Sequence, residues 1–358
     1  MPSSIIKIFI CLTICTFSFA SSISQNTKKP KNIILLVGDG MGLSEISSSL
    51  YFNDKPSNFL RFSTVGLSMT SSSKELITDS SAGATAFASG IKTYNGAIGV
   101  DLKMNPAETI VEHVSKTDIA TGLVVTSSVV HATPAAFYAH QESRRMYEEI
   151  AVDLVKSDLD FFAGGGLQYF QNRKDSLDLV KQLEDNDFEV HTEKLPTKIS
   201  AKKQAILLAP NGMPKMSEKR GNFLTNATML AIGQLSKNKN GFFLLVEGSQ
   251  IDWGGHDNDA EYLINEMIDF DKTIGAVLDF AKNNGETLVI VTGDHETGGF
   301  TLSADGMNYN KIIASFSTTG HSATMVPVFA QGPSEELFDG VYQNTKIFAI
   351  MKQLFDQK

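Results

Sequence analysis

Histidine and aspartate recur together in the second half of this 358-residue chain: Asp252 and His256 in Ile251-Asp-Trp-Gly-Gly-His256, Asp294 beside His295, and His321 in Thr319-Gly-His-Ser322. Zinc takes imidazole nitrogen and carboxylate oxygen, and a catalytic site uses three such ligands and keeps one position open. Asp252, His256 and His321 would form one such set. Asp39, Asp294 and His295 would form a second. Two cations about 4 Å apart can stabilise the attacking and leaving oxygens of an in-line displacement. Any one of these histidines alone would read as an ordinary surface or core residue, as His113 and His191 do in their charged contexts. The grouping is what points to metal.

A nucleophile is available in Thr78-Asp-Ser-Ser-Ala-Gly-Ala-Thr-Ala86, where small residues after a hydroxyl let a backbone or ligand approach closely. At a helix N-terminus, Ser80 would meet unpaired amides and the positive end of the dipole. Taken alone, Asp-Ser before small residues is more often a helix cap. No G-x-S-x-G elbow is present, so an α/β-hydrolase reading has no support. Further along, Val130-His-Ala-Thr-Pro-Ala-Ala-Phe-Tyr-Ala-His-Gln-Glu-Ser-Arg-Arg145 offers two arginines. A guanidinium grips phosphate oxygens through a rigid fork, which makes Arg144 or Arg145 a candidate phosphate anchor. His131, Thr133 and Glu247 could hold a further ion such as magnesium.

The elements that must position these groups alternate. Asn32–Val37 (NIILLV) reads as a buried strand, closed by Gly38-Asp39-Gly40. Residues 121–127, 241–246, 287–292 and 325–330 are further strands, with helices over 81–89, 147–156, 222–235, 261–283 and 345–355. The pattern is α/β, with a central, mostly parallel sheet sandwiched by helices. In such sheets ligands bind beyond the carboxyl ends of strands, where Asp39, Glu247 and Asp294-His295 fall. No internal repeat or low-complexity linker divides residues 32–358, which read as a single catalytic domain with surface insertions.

The chain is 42% hydrophobic with a formal net charge of −9, which argues against a nucleic-acid binder. An anionic substrate would then need local positive charge, which bound cations supply. Residues 1–20 read as a secretory signal: Lys7 is its lone charge, 8–19 is a short apolar stretch, and Ser18-Phe-Ala20 offers a cleavage site. Lipidation at Cys15 fits less well, because Ile14 is bulky where a small residue is expected. Cys11 and Cys15 are the chain's two cysteines, so cleavage would leave neither thiol nor disulfide. Residues 21–31 form a polar lead-in. The expected location is outside the cytoplasm, periplasmic or secreted, with no membrane span after cleavage.

Six segments in order, NIILLVGDGMG, TDSSAGATAFASGIKTYNGAIGV, HATPAAFYAH, VEGSQIDWGGH, VIVTGDHETGGF and TTGHSAT, resemble the signature blocks of the alkaline phosphatase family. They extend from Asn32 to about Thr324. The resemblance implies two zinc ions and one magnesium ion, phosphate monoesters as substrates, a phosphoserine intermediate on Ser80 and a homodimer. It assigns Asp252, His256 and His321 to one zinc, and Asp39, Asp294 and His295 to the other. Asp39, Thr133 and Glu247 match its magnesium site, and Arg144 its phosphate-binding arginine. His131 and Trp253 depart from the best-known bacterial pattern, which has aspartate and lysine there. Alternatives are a phosphodiesterase or sulfatase of the same superfamily, or a non-catalytic phosphate- or metal-binding protein. A sulfatase would need a Cys/Ser-x-Pro-x-Arg motif, and none surrounds Ser80.

Overall fold

The computed structural model describes residues 29–171, 173–198 and 200–356. The leader read over residues 1–20 lies outside the described residues, as do residues 21–28 of the lead-in read over 21–31. Among the described residues, no helix is long and apolar enough to cross a membrane.

The strands are β1 (Asn32–Gly38), β2 (Thr64–Met69), β3 (Ala120–Ser128), β4 (Phe161–Gly165), β5 (Phe188–His191), β6 (Lys203–Leu207), β7 (Phe242–Gly248), β8 (Thr287–Gly293), β9 (Glu296–Thr297), β10 (Thr301–Asp305), β11 (Asn308–Ser315), β12 (His321–Ser322), β13 (Val326–Gln331) and β14 (Gly340–Gln343). Ten of them build one sheet in the order β14-β2-β13-β8-β1-β7-β3-β4-β6-β5. Every neighbouring pair is parallel except those of β13, which runs antiparallel to β8 and β2. The expected mostly parallel sheet is therefore present, with one reversed strand that the apolar run at 325–330 did not announce.

A parallel strand covered on both faces must be apolar at every position, because alternate side chains enter opposite layers. In β1, Ile33, Leu35 and Val37 join one core while Ile34 and Leu36 join the other. The first core is closed by α2 (Ser80–Ser89), α3 (Ile110–Ser115), α5 (Tyr147–Lys156), α6 (Leu179–Asp185) and α10 (Thr345–Asp356). The second is closed by α1 (Leu43–Tyr51), α7 (Phe223–Leu235) and the long α9 (Ala260–Asn284). The short helices α4 (Ala132–Ala135) and α8 (Gln250–His256) follow β3 and β7 at the carboxyl end of the sheet. That end gathers the polar residues.

Candidate metal centre and nucleophile

β1, β7 and β8 lie side by side in parallel, with Val37 level with both Glu247 and Thr292. This register carries Asp39, Glu247 and Asp294 to neighbouring positions, and all three are fully buried. Gly40 makes the turn after Asp39 with φ +74, and a Cβ there would lie 2.8 Å from the Asp252 backbone. Only glycine meets both demands without strain. The turn thus brings β1 against α8.

α8 presents Asp252 and His256 one helical turn apart on one face. His321 arrives on β12, which pairs with β9 so that His321 faces Thr297. His256 Nε2 and His321 Nε2 stand 3.4 and 3.5 Å from Asp252 Oδ1, and 3.2 Å from one another. In the second set, His295 Nε2 lies 3.2 Å from Asp294 Oδ2 and 3.5 Å from Asp39 Oδ1. Asp39, His131 and Glu247 make a third convergent group. The carboxylate and imidazole candidates read from the sequence come together, and Thr133 is buried beside Glu247, whereas His113 pairs with Asp356 and Glu108, and His191 with Gln204.

Backbone oxygens can only accept, so the carbonyls of Thr319 and Thr78 place the protons of His256 and His321 on Nδ1, at 2.6 and 2.8 Å. Each Nε2 lone pair is thereby free for a cation. Thr297 joins the two sets: its hydroxyl donates to Asp252 Oδ1 at 2.6 Å and lies 3.2 Å from His295 Nδ1. Nothing in the spacing of the chain announced Thr297.

The electrostatics ask for positive charge. Burial, then Asp294, Asp252 and Glu247, push Asp39 well above the usual carboxylate range. Burial raises Glu247 to about 7 against hydroxyls that pull it down, and burial with Asp252 raises Asp294 to about 6. Burial, followed by His321, holds His295 well below its ordinary value. Asp39 Oδ2, Asp294 Oδ2 and Glu247 Oε1 are buried with no hydrogen-bond donor. Buried charges are normally paired or coordinate metal, so these donor sets fit cations.

Ser80 opens α2, and Asp79 caps it by accepting from Ala82 N at 3.0 Å. Ser80 Oγ lies 3.3 Å from His295 Nε2 and 3.5 Å from Asp39 Oδ1. Of the two arginines, Arg144 joins the cluster: its NH1 donates to Asp79 Oδ2 at 3.1 Å and its NH2 lies 3.3 Å from His131 Nε2. Arg145 is exposed. Burial would raise Asp79, but the Ala82 amide and Arg144 outweigh it and hold the carboxylate below its ordinary value. Burial and then Arg144 push His131 down to about 3, so its ring is neutral. Trp253 meets that ring edge-on, 6.0 Å between centroids. Trp253 also needs Gly212, where a Cβ would lie 2.5 Å from the indole.

A doubly covered, mostly parallel sheet with buried acid–imidazole clusters beside a serine that opens a helix defines an α/β protein built to hold cations against a hydroxyl. Residues 30–315 match the family model described as alkaline phosphatase. Alkaline phosphatase 3 of Bacillus subtilis (strain 168) is 37% identical over an alignment covering 100% of this chain and 80% of that protein. The solved structure of alkaline phosphatase from the Antarctic bacterium TAB5 superposes with a TM-score of 0.91 at 53% identity, covering 92% of this chain and 100% of that one. A histidine-to-aspartate variant of the TAB5 enzyme, with Mg bound in its M3 site, matches at a TM-score of 0.90, 52% identity and 92% and 99% coverage. The chain belongs to the alkaline phosphatase family.

Proposed function

We propose that this protein is a phosphoric monoester hydrolase that releases an alcohol and inorganic phosphate by two in-line displacements, with Ser80 as the nucleophile. The observation that carries the reading is the placement of Ser80 Oγ, at a helix N-terminus and against both His295 and Asp39. Ser80 Oγ attacks phosphorus as the ester oxygen departs, giving a phosphoserine. Water then displaces Ser80 Oγ and releases phosphate. Arg144 grips two non-bridging oxygens through its planar fork while Asp79 fixes the guanidinium. The α2 amides add the positive end of the helix dipole.

Two zinc ions, held by Asp252, His256 and His321 and by Asp39, Asp294 and His295, and one magnesium ion, held by Asp39, Thr133 and Glu247, supply the Lewis-acid charge that a chain of net charge −9 lacks. The magnesium in the M3 site of the TAB5 histidine-to-aspartate variant supports magnesium as the third ion. Residues 32–358 act as one catalytic domain, and the protein works outside the cytoplasm as a homodimer.

The test is Ser80→Ala. Activity on a chromogenic phosphate monoester should fall on the order of 10⁴-fold or more, with zinc retained. Wild type quenched at low pH should carry phosphate on Ser80. Near wild-type turnover, or label on another residue, would overturn the assignment. Parallel assays with a diester and a sulfate ester separate this reading from its superfamily alternatives.

A further inference from the structure

Ser80 and Arg144 must hold one phosphoryl group between them, yet they stand on separate parts of the chain. Ser80 opens α2, and Arg144 lies in the loop before α5. The side-chain link between the two regions is the Asp79–Arg144 pair, which is partly exposed. The segment Thr93–Gly96 lies across both. On the nucleophile side, Asn95 Oδ1 accepts from Asp79 N at 3.1 Å, Asn95 Nδ2 donates to Ile77 O at 3.0 Å, and Gly96 N donates to Asp79 Oδ2 at 3.0 Å. On the arginine side, Gly96 O accepts from Arg144 N at 2.7 Å and Tyr94 Oη donates to Glu142 O at 3.0 Å.

We propose that this segment is a strap, with Asn95 as its positioning residue, that fixes the separation between the Ser80 nucleophile and the Arg144 phosphate clamp. The inference rests on the functional reading of those two residues. Asn95 grips the residue immediately before Ser80, and its neighbour Gly96 binds the Arg144 backbone and the Asp79 carboxylate that steers the guanidinium. The Asn95 side chain makes two hydrogen bonds to backbone atoms and the residue is only partly buried, so its role is to hold direction rather than to fill a core. Losing it frees Ile77–Asp79 to shift relative to Arg144. A displacement of about 1 Å between reacting groups can cost on the order of 10²-fold in rate.

A double-mutant cycle tests this in the metal-replete enzyme. Asn95→Ala should lower kcat/KM by about 10–100-fold and weaken phosphate inhibition, with zinc content unchanged. In an Arg144→Ala background the same change should cost no more than about twofold, because the alignment it protects is already lost. Tyr94→Phe, which removes one exposed hydroxyl and leaves folding intact, should show the same dependence on Arg144 with a smaller loss. Equal fold-losses in both backgrounds would reduce Asn95 to a merely structural residue and sink the strap alone. An Arg144→Ala enzyme with wild-type rate and phosphate affinity would sink the functional reading and the strap together.

Discussion

Two buried clusters of charge, one on α9 and one at the strand ends, are balanced in different ways. Against α9, the side chains of Arg220, Glu266 and Asp269 are almost wholly inaccessible. Arg220 bonds both Glu266 oxygens and lies 2.9 Å from Asp269 Oδ2, while Met216 N donates to Glu266 as well. At the strand ends, Asp39, Asp294 and Glu247 are as deeply buried, but among the described residues no arginine or lysine bonds them; each keeps an oxygen without a donor, as Asp269 Oδ1 also does. The first cluster carries its counter-ion in the sequence, and its work is to anchor the loop around Met216 to α9. The second leaves its counter-charge to be imported. Burying charge is costly in both places, and the identity of the neutralising partner separates scaffold from chemistry.

Removing one carboxylate from each cluster should give opposite results. Glu266→Gln leaves Arg220 short of a buried partner and should destabilise the protein by about 3 kcal/mol, with kcat of the surviving folded enzyme little changed. Asp294→Asn should abolish activity and release zinc, yet stabilise the metal-free protein at pH 8. The sign follows from linkage: burial and Asp252 raise the folded Asp294 to about 6 against an ordinary 3.8, so its ionisation drains stability as pH climbs through that range. Denaturant melts of both chelated variants decide the matter, and equal destabilisation would erase the contrast. Chelator should likewise remove wild-type activity and lower Tm, with zinc and magnesium restoring both.

A smaller effect is expected at His131 and Trp253, where the third group is walled by neutral rings. His131→Asp combined with Trp253→Lys imports two charges and should tighten phosphate binding by ~1–3 kcal/mol, the range of a charged hydrogen bond. Slower product release should then lower turnover. Unchanged phosphate inhibition in the metal-replete variant would refute this.

The smallest effect concerns a charge balanced by backbone alone. Lys92 Nζ donates to Met69 O and Ser71 O, and burial lowers its pKa to about 8 from 10.5. Between those values the unfolded chain holds a proton that the folded one has lost, so Lys92 makes stability rise with pH. Half-exposure keeps the increment modest. Lys92→Met should flatten that rise between pH 8 and 10.5, and identical stability–pH slopes would exclude it.

The site was more legible in the sequence than the sheet around it. Asp39, Asp294 and His295 follow continuous apolar runs, and a run buried on both faces can be recognised without knowing its neighbours. β2, with the alternating pattern Thr64–Met69, and the four-residue strands β5 and β14 carry no such run, and their pairing is decided by tertiary packing. Thr297 escaped notice for a related reason. Its bond to Asp252 joins residues 45 apart, and a threonine after His-Glu has no local mark of that contact. Gly212 likewise has meaning only once Trp253 lies on it.

That Thr297 hydroxyl has a thermodynamic consequence. It owns one proton and gives it to Asp252, so toward His295 Nδ1 it can only accept. The chain of bonds therefore runs in one direction, from imidazole through hydroxyl to carboxylate, and locks His295 in the tautomer whose Nε2 is open. A first cation that orders Asp252 also orders Thr297, and through it the ring awaiting the second. Zinc titration of the metal-free protein should accordingly be sigmoidal, and Thr297→Val should turn it into two independent hyperbolic steps.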